Sequence, residues 1–308
     1  MTIVITMCKL LFAMALGYYL NKKDLLTPMV SRKMSSIVVD VTVPLLIINS
    51  MGSVSGGEQK TVLTALFSGA LLYAVFPLVG LLVCRILHPP KGTEGVYQCM
   101  LMFANTAFMG YPVIQALYGS TSIFYTSIFN FGYNILFFSY AAFLIDKDAG
   151  ASSRFEPKRL LSVGVIVGVL TIVMYFTGIK LPAVILEPCG FVGNITTPMS
   201  MLIIGSNMAN YSLKEMFGEW RLYIMTLLRL IVMPVLTVLY LKVWTDNALL
   251  IAMCAMTIGM PIGSMLAMAT SKYELQGKIG SMAVVMTTLC SMVTIPVLAL
   301  VFKVWLGV

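Results

Sequence analysis

The sequence predicts an all-α polytopic membrane protein with ten transmembrane helices in a 5+5 inverted repeat, helices 4 and 9 being broken near the bilayer centre. Three observations predict it. Hydrophobic residues make up 59% of the chain and charged residues 10%, with a mean hydropathy of +0.94, a composition that no soluble domain of this length tolerates on its surface. Apolar runs long enough to cross a bilayer recur along the whole chain. Two of them, in matching places of the two halves, are interrupted at their centres by Gly and Pro, which is the sequence pointer to a secondary transporter's binding site. The alternating strand pattern of an outer-membrane barrel is absent.

Span 1 covers residues 2–20. It has no basic residue before Lys9 and ends in GYYLNKK, so it reads as a retained span rather than a cleaved signal peptide. Span 2 (34–51) holds Asp40 and Pro44, and span 3 (61–87) holds Pro77. Span 4 (96–118) is interrupted by Gly110 and Pro112, because proline removes a backbone donor and clashes with the preceding turn. Span 5 (122–145) carries Asn130 and Asn134. A polar linker, residues 146–159, separates the first repeat (1–145) from the second (160–308). Spans 6 to 10 cover residues 160–177, 192–210, 220–243, 248–271 and 280–305, and span 9 is interrupted in TIGMPIGSM.

The halves match in detail. DVTVPLLIINSMGS in span 2 aligns without a gap on NITTPMSMLIIGSN in span 7, pairing Asp40 with Asn194, Thr42 with Thr196 and Pro44 with Pro198. FPLV in span 3 aligns on MPVL in span 8, and Pro112 then falls opposite Pro261. Five spans per half is an odd number, so the second half enters the membrane inverted. One set of loops holds fourteen Lys and Arg residues, Arg32, Lys33, Arg154, Lys158, Arg159 and Lys214 among them. The other holds only Lys60, Lys180, Lys242 and Lys303, which predicts a cytoplasmic linker, both termini outside and residence in the cytoplasmic membrane.

The net charge of +8 therefore serves topology rather than nucleic-acid binding. The six cysteines form no CxxC pair and read as free packing thiols. An enzyme is not expected. The single histidine, His88, lies in a loop beside two prolines, there is no HExxH, and no nucleophile stands beside a base. No cofactor and no metal site is expected.

If each broken helix restarts at its proline, two helix N-termini with unpaired N–H groups meet near the bilayer centre and suit an anion such as a carboxylate. The candidate binding residues are Asn105, Thr106, Met109, Gly110, Tyr111, Pro112 and Gln115 on span 4, Asn130 and Asn134 on span 5, and Thr257, Gly259, Pro261 and Ser264 on span 9. The competing reading is that the polar ones only satisfy freed backbone and join helices. Three charges lie inside spans: Lys9, Asp40 and Arg229. Lys9 is within snorkelling range of the outer surface. Asp40 is a rim carboxylate, about two turns from Arg32 and Lys33, or part of a proton or sodium relay, or a partner for a substrate-side cation. Arg229 either ties helices together through carbonyl contacts or attracts the anion.

The chain resembles the auxin efflux carrier family, which includes plant auxin exporters and compact bacterial permeases for malate- or malonate-like acids. The resemblance rests on Asn105-Thr106-x-x-Met109-Gly110-x-Pro112 followed by Tyr118-Gly119, on Val43-Pro44-Leu45-Leu46, on Arg229 ahead of Pro234, and on Pro261 ahead of Ser271-Lys272-Tyr273. It implies a fold like that of sodium/proton antiporters and bile-acid symporters, with a scaffold of spans 1, 2, 6 and 7, a transport domain of spans 3–5 and 8–10, elevator-type movement and a homodimer through the scaffold. It also implies that Asn105 contacts the substrate carboxylate, with Pro112 and Pro261 as the crossover prolines. The chain departs from the family pattern at Asp40 and at Glu156-Pro157. The function expected is secondary transport of a small organic anion. The alternative is a sodium- or proton-coupled symporter or exchanger.

Overall fold

The structure is a computed structural model that describes residues 2–54, 58–150, 162–210 and 218–308. Among these residues the fold is helical throughout, apart from one isolated bridge between Ala104 and Ile262. The linker residues Arg154, Glu156, Pro157, Lys158 and Arg159, the first two residues of span 6 and Lys214 lie outside the described residues.

The first half runs from α1 (Thr2–Lys22) to α2 (Pro28–Ile37), which Thr27 caps and Pro28 opens. A π-turn, Val38–Thr42, carries α2 on into α3 (Val43–Ser50). Then come α4 (Gln59–Leu87), α5 (Glu94–Met102), the π-turn Thr106–Gly110 with α6 (Tyr111–Tyr118), α7 (Thr121–Phe129), α8 (Phe131–Leu136) and α9 (Ala142–Asp148). The second half has α10 (Val163–Thr177), α11 (Ala183–Gly193), α12 (Thr196–Met208) and α13 (Trp220–Leu227), which a π-turn at Leu228–Val232 joins to α14 (Met233–Leu241). It closes with α15 (Ala248–Ile258), α16 (Ser264–Thr270) and α17 (Glu274–Leu306).

Four described runs are long and apolar enough to cross a membrane: Pro28–Ser53, Gln59–Leu87, Trp220–Leu241 and Glu274–Leu306. A fifth is the pair Thr121–Phe129 and Phe131–Asp148, bent by 46°. Many of their exposed residues are apolar, as with Phe67, Leu78, Leu82 and Ile86 on α4 and Val293 and Val304 on α17, so these faces suit hydrocarbon. The protein is thus an all-helical, multi-pass membrane protein.

Two expectations need correction. Span 2 begins at Pro28 rather than residue 34, and α11, which leads into span 7, begins at Ala183 rather than residue 192. Span 5 bends at Asn130. Pro112 does not break span 4. The break lies at Phe103–Asn105, and Pro112 is the second residue of α6, after the π-turn. The physical reason recurs at Pro44, Pro112 and Pro234, each of which follows a π-turn by two residues. Widening the turn accommodates the ring and the missing N–H, so the helix continues.

The buried centre is built on α5 and α15. Val96 to Phe103 and Leu250 to Ile258 are almost wholly shielded; α4 and α17 pack against α5, and α14 and α17 against α15. On another side, α1 and α12 approach so closely that a Cβ on Gly17 would overlap the Leu202 carbonyl, and one on Gly205 the Met14 carbonyl.

Candidate functional site

The two interrupted helices cross as extended backbone. After α5, Phe103 is extended and pairs with the segment that follows α15. The Asn105 N–H donates to the Pro261 carbonyl at 2.8 Å, and the Gly263 N–H donates to the Phe103 carbonyl at 3.0 Å. The Ile262 N–H donates to Thr287 Oγ1 on α17 at 3.1 Å. Backbone freed inside the protein therefore finds partners, as low polarity demands. Gly263 permits the approach, because a Cβ there would stand 3.1 Å from the Ala104 carbonyl oxygen.

Arg229 sits behind the crossing and is fully buried. Its Nε donates to the Met260 carbonyl at 3.2 Å and its Nη1 to the Leu101 carbonyl. These carbonyls lie at the C-terminal ends of α5 and α15, where two helix dipoles present partial negative charge, so the cation is compensated by helix ends. Of the two readings of Arg229, the carbonyl tie is the one present. Arg229 lines none of the cavities beside the crossing.

Two cavities flank the crossing. The smaller, about 90 Å³, is lined by Asp40, Asn105, Thr106, Tyr111, Asn130 and Asn134, together with Ser127, Tyr133 and Ser162–Gly164 at the start of α10. At about 30 Å³ per water it has room for about three waters. The larger, about 520 Å³, lies between α2 and α12 on one wall and α16 and α17 on the other; Arg32, Asn207, Asn210 and Ser264 line it. Phe108, 2% exposed, lines both. A third cavity, about 610 Å³, opens at the far end of the α2–α3 run between Met51–Val54 and Met174–Leu181, with Lys180 on its wall.

The candidate residues therefore divide. Asn105, Thr106, Tyr111, Asn130, Asn134 and Asp40 come together at the small cavity, and Ser264 faces the large one. Asn130 is also structural, since its Oδ1 accepts from Tyr73 Oη at 2.5 Å and its Nδ2 donates to the Thr126 carbonyl. The others lie away from both cavities. Met109 accepts from Ser291 Oγ on α17, Thr257 Oγ1 donates to the Met253 carbonyl in its own helix, and Gly259 packs against Pro234 and Leu298. Gly110 and Pro112 are buried in the restarted helix, and Pro261 belongs to the crossing backbone. Gln115 reaches the junction of α11 and α12, where its Nε2 donates to Asn194 Oδ1 at 3.1 Å and its Oε1 accepts from Thr197, on α12, at 3.4 Å. Sequence reasoning missed Phe108, Tyr133, Asn207, Asn210 and the start of α10, and it weighed Arg32 as a topological charge and a neighbour of Asp40, not as a binding residue. The Asn207/Asn210 pair, three apart at a helix end, was the signal available.

The membrane transport protein family model matches residues 2–167 and 160–299. The chain is 26% identical over 210 residues to an uncharacterised transporter of Methanocaldococcus jannaschii, covering 63% of this chain and 64%, just under two thirds, of that relative. It is 22% identical over 311 residues to an uncharacterised transporter of Methanothermobacter thermautotrophicus, covering 96% and 97% of the two. With the whole chain matched and two broken helices crossing between polar cavities, the protein belongs to the membrane transport protein family, that of the auxin efflux carriers.

Proposed function

We propose that the protein is a secondary transporter of a small organic anion that works by alternating access, with the substrate handled beside the crossing of spans 4 and 9. The observation that carries this reading is the antiparallel crossing at Ala104 and Ile262, with polar cavities on both sides. Ten spans in a 5+5 inverted repeat fit the contact between Thr196 Oγ1 and Thr42 Oγ1 at 2.8 Å. The repeat alignment pairs these two residues, and equivalents meet only near the axis that relates the halves. In this reading spans 1, 2, 6 and 7 form a scaffold that also joins two copies, spans 3–5 and 8–10 move as an elevator, and the basic loops and linker face the cytoplasm. The side of the crossing that bears α16 is open to the large cavity, whereas α6 is tied to α12 through Gln115, which corresponds to an inward-facing state.

Uptake of labelled carboxylates into proteoliposomes tests the reading. Wild type moves at least one acid, and Asn105→Ala lowers its rate about tenfold or more, because Asn105 begins the restarted half of span 4 and its loss misplaces the crossing beside which the substrate is handled. Equal rates in both proteins remove the crossing from the mechanism.

A second reading, sodium or proton coupling or exchange, draws on Asp40 beside the amides of Asn105, Asn130 and Asn134 in a space of water-like size. Sodium- or proton-dependent flux lost in Asp40→Asn distinguishes it.

A further inference from the structure

We propose that Arg32 is the fixed cation that holds the transported anion, in the large cavity bounded by α2, α12, α16 and α17, and that the small Asp40 cavity is not the anion's place. The inference rests on the organic-anion reading above and names where, and by which charge, the anion is held.

Volume decides first. Pockets for small organic ligands run from roughly 300 Å³ upward. The Arg32 cavity has about 520 Å³ and the Asp40 cavity about 90 Å³. Charge decides next, because Asp40 is the charged residue on the wall of the small cavity and repels a carboxylate, whereas Arg32 is the charged residue on the wall of the large one. Among the described residues no carboxylate forms an ion pair with Arg32. Phe108, on the wall of both cavities, keeps the two charges apart.

The crossing itself offers less to an anion than two open helix tips would. The N–H groups of Asn105, Ile262 and Gly263 are spent on Pro261, Thr287 and Phe103. The restarted helix α16 has seven residues, too few turns to sum a strong dipole. A fixed guanidinium supplies what is missing, with a planar fork that matches a carboxylate in two hydrogen bonds. Asn207, Asn210, Ser264 and Ser281 surround it with neutral donors from both walls. An anion held there touches α2 and α12 on one side and α16 and α17 on the other, the two parts that alternating access must move past each other.

Lys33 is the adjacent basic residue and is absent from the cavity wall, so it controls for a purely topological role. The purified full chain is assayed as wild type, Arg32→Gln, Arg32→Lys and Lys33→Gln. Malonate is the probe, through its effect on melting temperature in detergent and through labelled uptake into proteoliposomes. Malonate is expected to raise the melting temperature of wild type and Lys33→Gln and to leave Arg32→Gln unmoved. The KM of Arg32→Gln is expected to rise about tenfold at little-changed maximal rate, the loss of one charge-assisted hydrogen bond. Arg32→Lys, which keeps the charge without the fork, recovers part of that loss. The proposal is overturned if wild type is not stabilised by malonate, or if Arg32→Gln binds and transports malonate like Lys33→Gln. Arg32-dependent binding in a protein that moves no carboxylate supports the site and overturns the transport reading alone.

Discussion

A charge survives inside this molecule where helix ends receive it. Arg229 is wholly shielded from solvent, yet its hydrogen bonds to Leu101 and Met260 place it against the negative ends of α5 and α15. The same two bonds fasten both halves of the crossing to the π-turn that precedes α14. Arg229→Met fills similar space but strands two buried carbonyls, each worth about 1–3 kcal/mol when unsatisfied. A loss of about 2–5 kcal/mol is therefore expected. It is read as a lowered melting temperature in detergent, with Arg229→Lys in between; a variant as stable as wild type would mean that the crossing holds without the tie. From sequence, Arg229 stood out as a buried charge, but its partners are carbonyls 31 and 128 residues away, which no local pattern encodes.

At the scale of helices, proline widens as often as it interrupts. Pro44, Pro112 and Pro234 follow five-residue π-turns, while Pro261 lies within the crossing itself. Proline chemistry was legible in the sequence; the choice between a widened turn and a break was not. That choice depends on whether freed backbone finds a partner, and Phe103 and Asn105 find theirs in span 9. Replacing Pro112 by Ala lets the π-turn at Thr106–Gly110 relax toward α-helical winding, which slips Asn105 and Thr106 against the small cavity. The melting temperature of Pro112→Ala is expected to stay within a few degrees of wild type while transport falls about tenfold or more. Unchanged transport would show that the widened turn sets no register that matters.

Across the whole molecule, the two faces of the crossing differ. On one, Gln115 ties α6 to Asn194 and Thr197; on the other, a cavity of about 520 Å³ separates α16 from α12. In the proposed cycle this tie helps hold the outer side shut. Gln115→Ala removes hydrogen bonds worth about 1 kcal/mol net, enough to shift a two-state balance about fivefold. A cysteine placed at Thr197, in a chain stripped of its own cysteines, should then react several-fold faster with an impermeant maleimide added from outside. An unchanged rate would assign the closure to packing instead.

By itself the sequence determined the membrane class, the recurrence of apolar spans and the presence of two interrupted helices, because hydropathy and proline act within a few residues of where they are written. Only the tertiary structure decided where the breaks fall, that Arg229 serves two helix ends, that Met109 and Gly259 face neighbouring helices while Thr257 bonds within its own, and that Arg32 and Asp40 look into separate cavities. Each of these depends on which distant backbone group or side chain fills the space opposite, and that is fixed by packing among helices far apart in the chain.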